Sequence, residues 1–183
     1  MRVLITGATG LIGGILRQSL VGHELAGIDI KPNDEFSLEV CDISDLSSIR
    51  PAFEGVDSVV HLAAIASSSA PWDSILNNNI IGTYNVFEAA RLAGVKRVVF
   101  ASSGSTIRGF ERVKPYEDIS NGNYREVPKN VPMITREQVR PEALYGVTKV
   151  WGETLGRHFS DAYDMSIICV RIGSVRKENR PMS

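Results

Sequence analysis

Apolar runs alternate with segments of helical spacing along almost the whole chain. The stretches 2–6 (RVLIT), 23–30 (HELAGIDI), 36–43 (FSLEVCDI), 57–64 (DSVVHLAA), 96–103 (KRVVFASS) and 165–172 (MSIICVRI) are short and rich in β-branched residues, and they predict six strands. Between them, 11–22, 45–55, 77–94 and 141–163 carry apolar residues at helical spacing. Gly22 and Gly94 close two of these helices, and Pro141 suits the first turn of the last. The segment 104–141 breaks the alternation. It is polar, contains Pro115, Pro128, Pro132 and Pro141, and reads as an inserted loop region with short elements at most. Strands alternating with helices imply parallel pairing with helical crossovers. Continuous apolar strands imply a sheet covered on both faces. The expected fold is α/β, a doubly wound parallel sheet, with 1–183 forming one domain.

The first strand runs into TGATGLIGG, with Gly7, Gly10 and Gly13 at the strand-to-helix junction. A turn that takes a pyrophosphate needs glycine for tightness, for close approach of backbone to ligand, and for close helix–strand packing. The free N–H groups of the helix start then face the phosphates. The spacing is G-x-x-G-x-x-G, so the generic dinucleotide fingerprint applies by analogy. Asp29 at the end of the second strand adds an acceptor for ribose hydroxyls and repels a 2′-phosphate. NAD is therefore expected ahead of NADP, although Lys31 lies close by.

In EALYGVTKVWGE, Tyr145 and Lys149 are four residues apart and share one helix face. A neighbouring ammonium favours the ionised phenol, so Tyr145 is a candidate general base. Ser102, Ser103 and Ser105 follow the fifth strand at the carboxyl edge, where open α/β sheets bind ligands, and any one of them could orient a substrate oxygen.

Charge and composition narrow the class. The formal net charge of −1 excludes the basic footprint of a nucleic-acid binder. No apolar run approaches the roughly 20 residues that cross a bilayer. Cys41 and Cys169 fit no metal spacing and read as small core residues in a reducing, cytoplasmic setting. No metal site is expected.

Taken together, TGATGLIGG, Asp29, CDI (41–43), HLAA (61–64), NNNIIGT (77–83), VVFASS (98–103), YGVTK (145–149) and VRIGS (170–174) resemble the extended short-chain dehydrogenase/reductase family, also called the NAD-dependent epimerase/dehydratase family. The resemblance implies a Rossmann-type domain. It places Gly7, Gly10, Leu11, Ile12 and Gly13 along the pyrophosphate, and Asp29 on the ribose. Asp42 and Ile43 would flank the adenine, and Leu62, Ala63 and Ala64 would run under the nicotinamide side. Asn78 would hold the cofactor site from its helix, and Ile172 would approach the nicotinamide amide. Ser103, Tyr145 and Lys149 match the catalytic serine and the Tyr-x-x-x-Lys pair, the last two also touching cofactor.

VVFASS, LYGVTK, WGE and VRIGS look most like the uronate dehydrogenases of that family. These oxidise the anomeric carbon of a sugar acid, with Arg180 here as a candidate partner for the substrate carboxylate. The alternatives are a nucleotide-sugar epimerase or dehydratase, and a non-catalytic NAD-binding module. The resemblance makes 77–94 and 141–163 the candidate faces of a homodimer, with the oligomeric state left open. The segment 110–140 is expected over the mouth of the site, and Ile107 and Arg108 stand where many relatives carry a tyrosine. The sequence ends at RKENRPMS soon after the sixth strand, so the expectation is a cofactor half with the C-terminal substrate-binding part missing.

Overall fold

A computed structural model of the chain describes residues 1–33 and 36–176. Arg180, the candidate carboxylate partner, lies outside the described residues. Six strands form a single parallel sheet: β1 (Arg2–Thr6), β2 (Glu24–Asp29), β3 (Leu38–Val40), β4 (Ser58–His61), β5 (Arg97–Ser103) and β6 (Ser166–Ile172). Their order is β3-β2-β1-β4-β5-β6. The order reverses between β1 and β4, so the carboxyl ends of these strands frame a crevice. Register places Thr6 beside both Ile28 and His61, at the centre of that edge.

The helices are α1 (Leu11–Ser19), α2 (Leu46–Ile49, running into a 3-10 turn at Arg50–Phe53), α3 (Trp72–Ile75), α4 (Gly82–Leu92), α5 (Tyr116–Ser120) and α6 (Leu144–Tyr163). Right-handed crossovers put α1 on one face of the sheet and α2, α4 and α6 on the other. The core lies under the second group. Phe87 of α4 meets Phe100 of β5 and Phe159 of α6 edge to face, with centroids 5.8 and 5.6 Å apart. On the α1 face β6 is open: Ile168 and Val170 are 45% and 42% exposed. Full coverage of both faces, expected from the apolar strands, therefore fails at β6, where no helix follows to pack on it among the described residues.

Several boundaries differ from expectation. The third strand keeps only three paired residues, because it is an edge strand with Val40 turned to solvent. The helix expected from 77 starts at Trp72 and passes through a π-helical turn at Leu76–Ile81 before α4. Pro141 does not sit in the first turn of the last helix, which begins after Ala143. The chain there is held elsewhere: Arg140 N–H donates to Thr106 O (2.8 Å), and Gly109 N–H donates to Arg140 O (2.6 Å). These bonds close the inserted region into a loop with a stem. Inside it lie 3-10 turns at Gly104–Thr106 and Arg108–Arg112, then α5. Among the described residues, no helix is long and apolar enough to cross a membrane.

Candidate active site

The glycine turn is shaped by steric need. Gly7 has φ +71°, a left-handed conformation that side chains resist, and a Cβ there would meet Ala63 N at 2.8 Å. A Cβ on Gly13 would stand 2.7 Å from both the Ala8 and Gly7 carbonyl oxygens. The turn can therefore lie flat against the exit of β4 while α1 starts at Leu11. Gly7 N–H is spent on Ile28 O (2.9 Å), which ties the turn to β2.

Two cavities open on either side of this turn and share Gly7, Gly10, Leu62 and Ala64 along their rims. One, of about 400 Å³, is lined by Thr9, Asp29, Lys31, Ile43, Ala63 and Asn78 among others. The other, of about 340 Å³, is lined by Leu11, Ile12, Gly13, Ser103, Tyr145, Lys149 and Ile172. Together they make a continuous trough across the switch point of the sheet. Every expected site residue borders it except Asp42, whose carboxylate accepts from Ser44 N–H (2.8 Å) and shapes the turn after β3. A larger cavity, about 720 Å³, lies elsewhere, between α6 and the free edge of β6.

The trough fits a dinucleotide on two grounds that are independent of any likeness. A Cβ at Gly7 or Gly13 would collide with backbone where a pyrophosphate must come close. The Asp29 carboxylate, an acceptor for ribose hydroxyls, borders one end, and a hydroxyl, a phenol and an ammonium border the other.

At the second end, three elements converge. β5 ends on Ser103, and α6 carries Tyr145 and Lys149 one turn apart. Of the three candidate serines, Ser103 alone reaches the phenol. Ser102 is buried and donates to Glu153, one turn beyond Lys149 on α6. Ser105 donates its N–H to Ser103 Oγ (3.1 Å). Burial lifts the Tyr145 phenol above its ordinary value, and the approach of the Ser103 hydroxyl works against that rise. The lowering expected from Lys149 is absent because burial dominates: the ammonium is 5.6 Å from the Tyr145 ring centroid. Lys149 is itself 3% exposed, lies 4.8 Å from the Phe100 ring centroid, and is pushed down to about 8 by burial.

A buried polar layer supports these groups. Thr6 accepts the Leu62 and Ala63 N–H groups (3.2 Å each) through its two lone pairs, which leaves its hydrogen for His61 Nδ1 at 2.7 Å. His61 then carries its own proton on Nε2, facing Thr83 Oγ1 at 3.2 Å. Burial, helped by the Lys149 charge, drives His61 down to about 3, so the ring is neutral. Asn79 was not anticipated. Its Oδ1 accepts from Ile65 N–H (2.8 Å), and its Nδ2 donates to Ile65 O (3.1 Å) and Thr148 Oγ1 (3.2 Å). It pins the exit of β4 to the helix bearing Tyr145 and Lys149. The signal was there, since three consecutive asparagines inside a helical pattern are costly without a purpose.

Cys41 and Cys169 are half-buried and pack against the margin of the core, and burial pushes both thiols up to about 11. Cys41 borders the Asp29 end of the trough. Among the described residues, no His, Cys, Asp and Glu cluster could hold a metal ion.

A doubly wound sheet with a glycine-lined trough at its switch point, ending on a Ser–Tyr–Lys cluster, defines a dinucleotide-dependent class of proteins. The model of the NAD dependent epimerase/dehydratase family matches residues 3–180, and the chain belongs to that family. It is 35% identical to an NAD-dependent glucose-6-phosphate dehydrogenase of Haloferax volcanii, over 98% of this chain and 70% of that protein. It is 36% identical to a uronate dehydrogenase of Agrobacterium fabrum, over 97% of this chain and 62% of that one. A solved structure of an Agrobacterium tumefaciens uronate dehydrogenase variant complexed with NAD superposes with TM-score 0.77 and 36% identity, covering 94% of this chain and 61% of the other. The chain thus spans about three-fifths of the uronate dehydrogenases' length, 59 to 62%.

Proposed function

We propose that this chain forms the cofactor-binding and proton-handling part of an NAD-dependent dehydrogenase that oxidises the anomeric carbon of a sugar or sugar acid to a lactone. The observation that carries this reading is the placement of Ser103, Tyr145 and Lys149 on the same cavity as the glycine turn and Ile172. NAD, when bound, supplies the acceptor for the hydride that leaves the anomeric carbon. The chain's own residues handle the rest. Gly7, Gly10 and Gly13 keep the turn clear of side chains, with Leu11 and Ile12 bordering the same stretch. Asp29 favours a ribose with free hydroxyls. Ser103 orients the anomeric hydroxyl, and Tyr145 takes its proton. Lys149 stabilises the phenolate form of Tyr145 that accepts this proton. Relatives that act on glucose-6-phosphate and on uronates support a sugar substrate.

The same reading includes a homodimer. Tyr84 of α4 and Leu144, Val147 and Tyr163 of α6 are exposed apolar and aromatic residues available to a second copy.

The test is a screen of the protein with NAD against glucuronate, galacturonate and glucose-6-phosphate, following NADH absorbance and lactone formation. Turnover of one of these that disappears in Tyr145→Phe is the expected result. NAD binding without turnover of any sugar would leave a binding module, and interconversion of nucleotide sugars with no NADH would mean an epimerase.

A further inference from the structure

The turn 7–13 contains one β-branched polar residue, Thr9, and it is not facing solvent. Its hydroxyl donates to Asp29 Oδ2 at 2.8 Å, and its backbone N–H donates to the same oxygen at 3.0 Å. The other oxygen, Oδ1, receives only a long contact from Lys31 N–H at 3.3 Å. A carboxylate has about four lone-pair sites. Thr9 uses two of them on one oxygen and leaves the other oxygen, on a residue that lines the cavity, with acceptor capacity to spare. An aspartate at a strand end otherwise rotates easily, since its terminal torsion is broad. Here rotation would break two charge-assisted hydrogen bonds at once.

We infer that Thr9 is a specificity-determining residue: by clamping the Asp29 carboxylate it selects a dinucleotide with an unphosphorylated adenosine ribose. This rests on the reading of the trough as a dinucleotide site. A clamped carboxylate offers Oδ1 to ribose hydroxyls without first losing rotational freedom, which improves NAD binding. It also cannot swing aside to make room for a 2′-phosphate. Lys31 borders the same cavity and offers a cation that a 2′-phosphate could use once the carboxylate moved. Discrimination thus depends on the hydroxyl that holds the carboxylate still, as well as on the carboxylate itself.

The experiment measures dissociation constants for NAD and NADP by calorimetry on the wild-type protein, Thr9→Val and Thr9→Ser. Valine keeps the shape and the backbone N–H but removes the hydroxyl. The expected result is NAD affinity about tenfold weaker in Thr9→Val, NADP affinity unchanged or tighter, and near-wild-type behaviour in Thr9→Ser. Unchanged NAD affinity in Thr9→Val overturns the inference. So does an equal loss for both dinucleotides, which marks Thr9 as scaffold only; a thermal melt of the free variant separates that outcome from misfolding. Failure of the wild-type protein to bind NAD is a different result, and it removes the dinucleotide reading itself.

Discussion

Replacing Lys149 by methionine should make the free protein more stable while abolishing turnover. The side chain is 3% exposed, and burial alone pushes its ammonium from 10.5 down to about 8. At about 1.36 kcal/mol per pH unit, that displacement means the charged form costs on the order of 3 kcal/mol in the fold at neutral pH. The aromatic faces of Phe100 and Tyr145 return part of what the ammonium loses, at 4.8 and 5.6 Å from their centroids. Methionine matches the length without the charge, so a net gain of about 2 kcal/mol is expected near pH 7.

The pH dependence gives the sharper check. Between about 8 and 10.5 the unfolded chain holds the lysine proton and the folded chain has released it. Stability from this group therefore rises with pH across that window, and the full cost is felt below it. Cys41 and Cys169 act in the opposite sense, because thiols raised from 9.0 to about 11 lose folded-state advantage as pH rises. They are common to both proteins and cancel in the difference. Urea unfolding of wild type and Lys149→Met near neutral pH and again about two units higher measures that difference. It should shrink by about 1.3 kcal/mol at the higher pH, the cost of the one proton that the folded state releases across that interval. A variant that is less stable at neutral pH, or a difference that ignores pH, would show that the buried ammonium is compensated and the reasoning wrong.

Other consequences are open to direct measurement. Tyr145→Phe should lower turnover at least a hundredfold with NAD affinity within a few-fold of wild type, read by single-turnover kinetics and calorimetry; a variant keeping most of its rate assigns the base elsewhere. Gly13→Ala should weaken NAD binding at least tenfold and cost about 1–3 kcal/mol in stability, because the new methyl meets two backbone oxygens; wild-type affinity would mean the turn has room to spare. Arg171 donates to both Glu153 oxygens (2.9 and 2.8 Å) and to Arg136 O (2.9 Å), so Arg171→Lys should speed proteolysis of the inserted loop severalfold while the core resists. Uniform cleavage across the chain would argue against that latch. His61, neutral down to about pH 3, should show ring resonances that do not move between about pH 5 and 8, while its enforced neutrality should erode stability as the pH falls from 6.5 towards 3.

What could be read from the residues was mostly local. Strand–helix alternation yielded all six strands and their parallel pairing, because strands joined by helical crossovers read as short apolar runs between helical segments. The Tyr145–Lys149 pair was legible because four residues on a helix is a fixed distance. The glycine turn was legible because only glycine meets its needs. Edge behaviour was not: β3 contracts to Leu38–Val40 because nothing pairs its outer side. Nor were the connections across the fold. Thr9 to Asp29, Asn79 to Thr148 and Arg171 to Glu153 join residues 20, 69 and 18 positions apart. Such pairs exist only once the topology is in place, so no window of sequence contains both partners in a meaningful relation.

The conflicts between local preference and observed structure are not spread evenly. A positive φ at Gly7, a π-helical turn carrying Asn79, a histidine forced neutral and an ammonium buried among rings all border or support one trough. Away from it Asp164 takes φ 52° to end α6, while Asp45 caps α2 through Ser47 and Ser48 N–H, and Glu88 and Arg91 pair one turn apart on α4. A fold that only had to persist would gain by relaxing each conflict, most of all at Lys149. Local rules broken together around one cleft are the expected signature of a site that trades stability for chemistry. That clustering is a physical reason to assign function to this cleft rather than to the larger cavity beside β6, and it is independent of any likeness to other proteins.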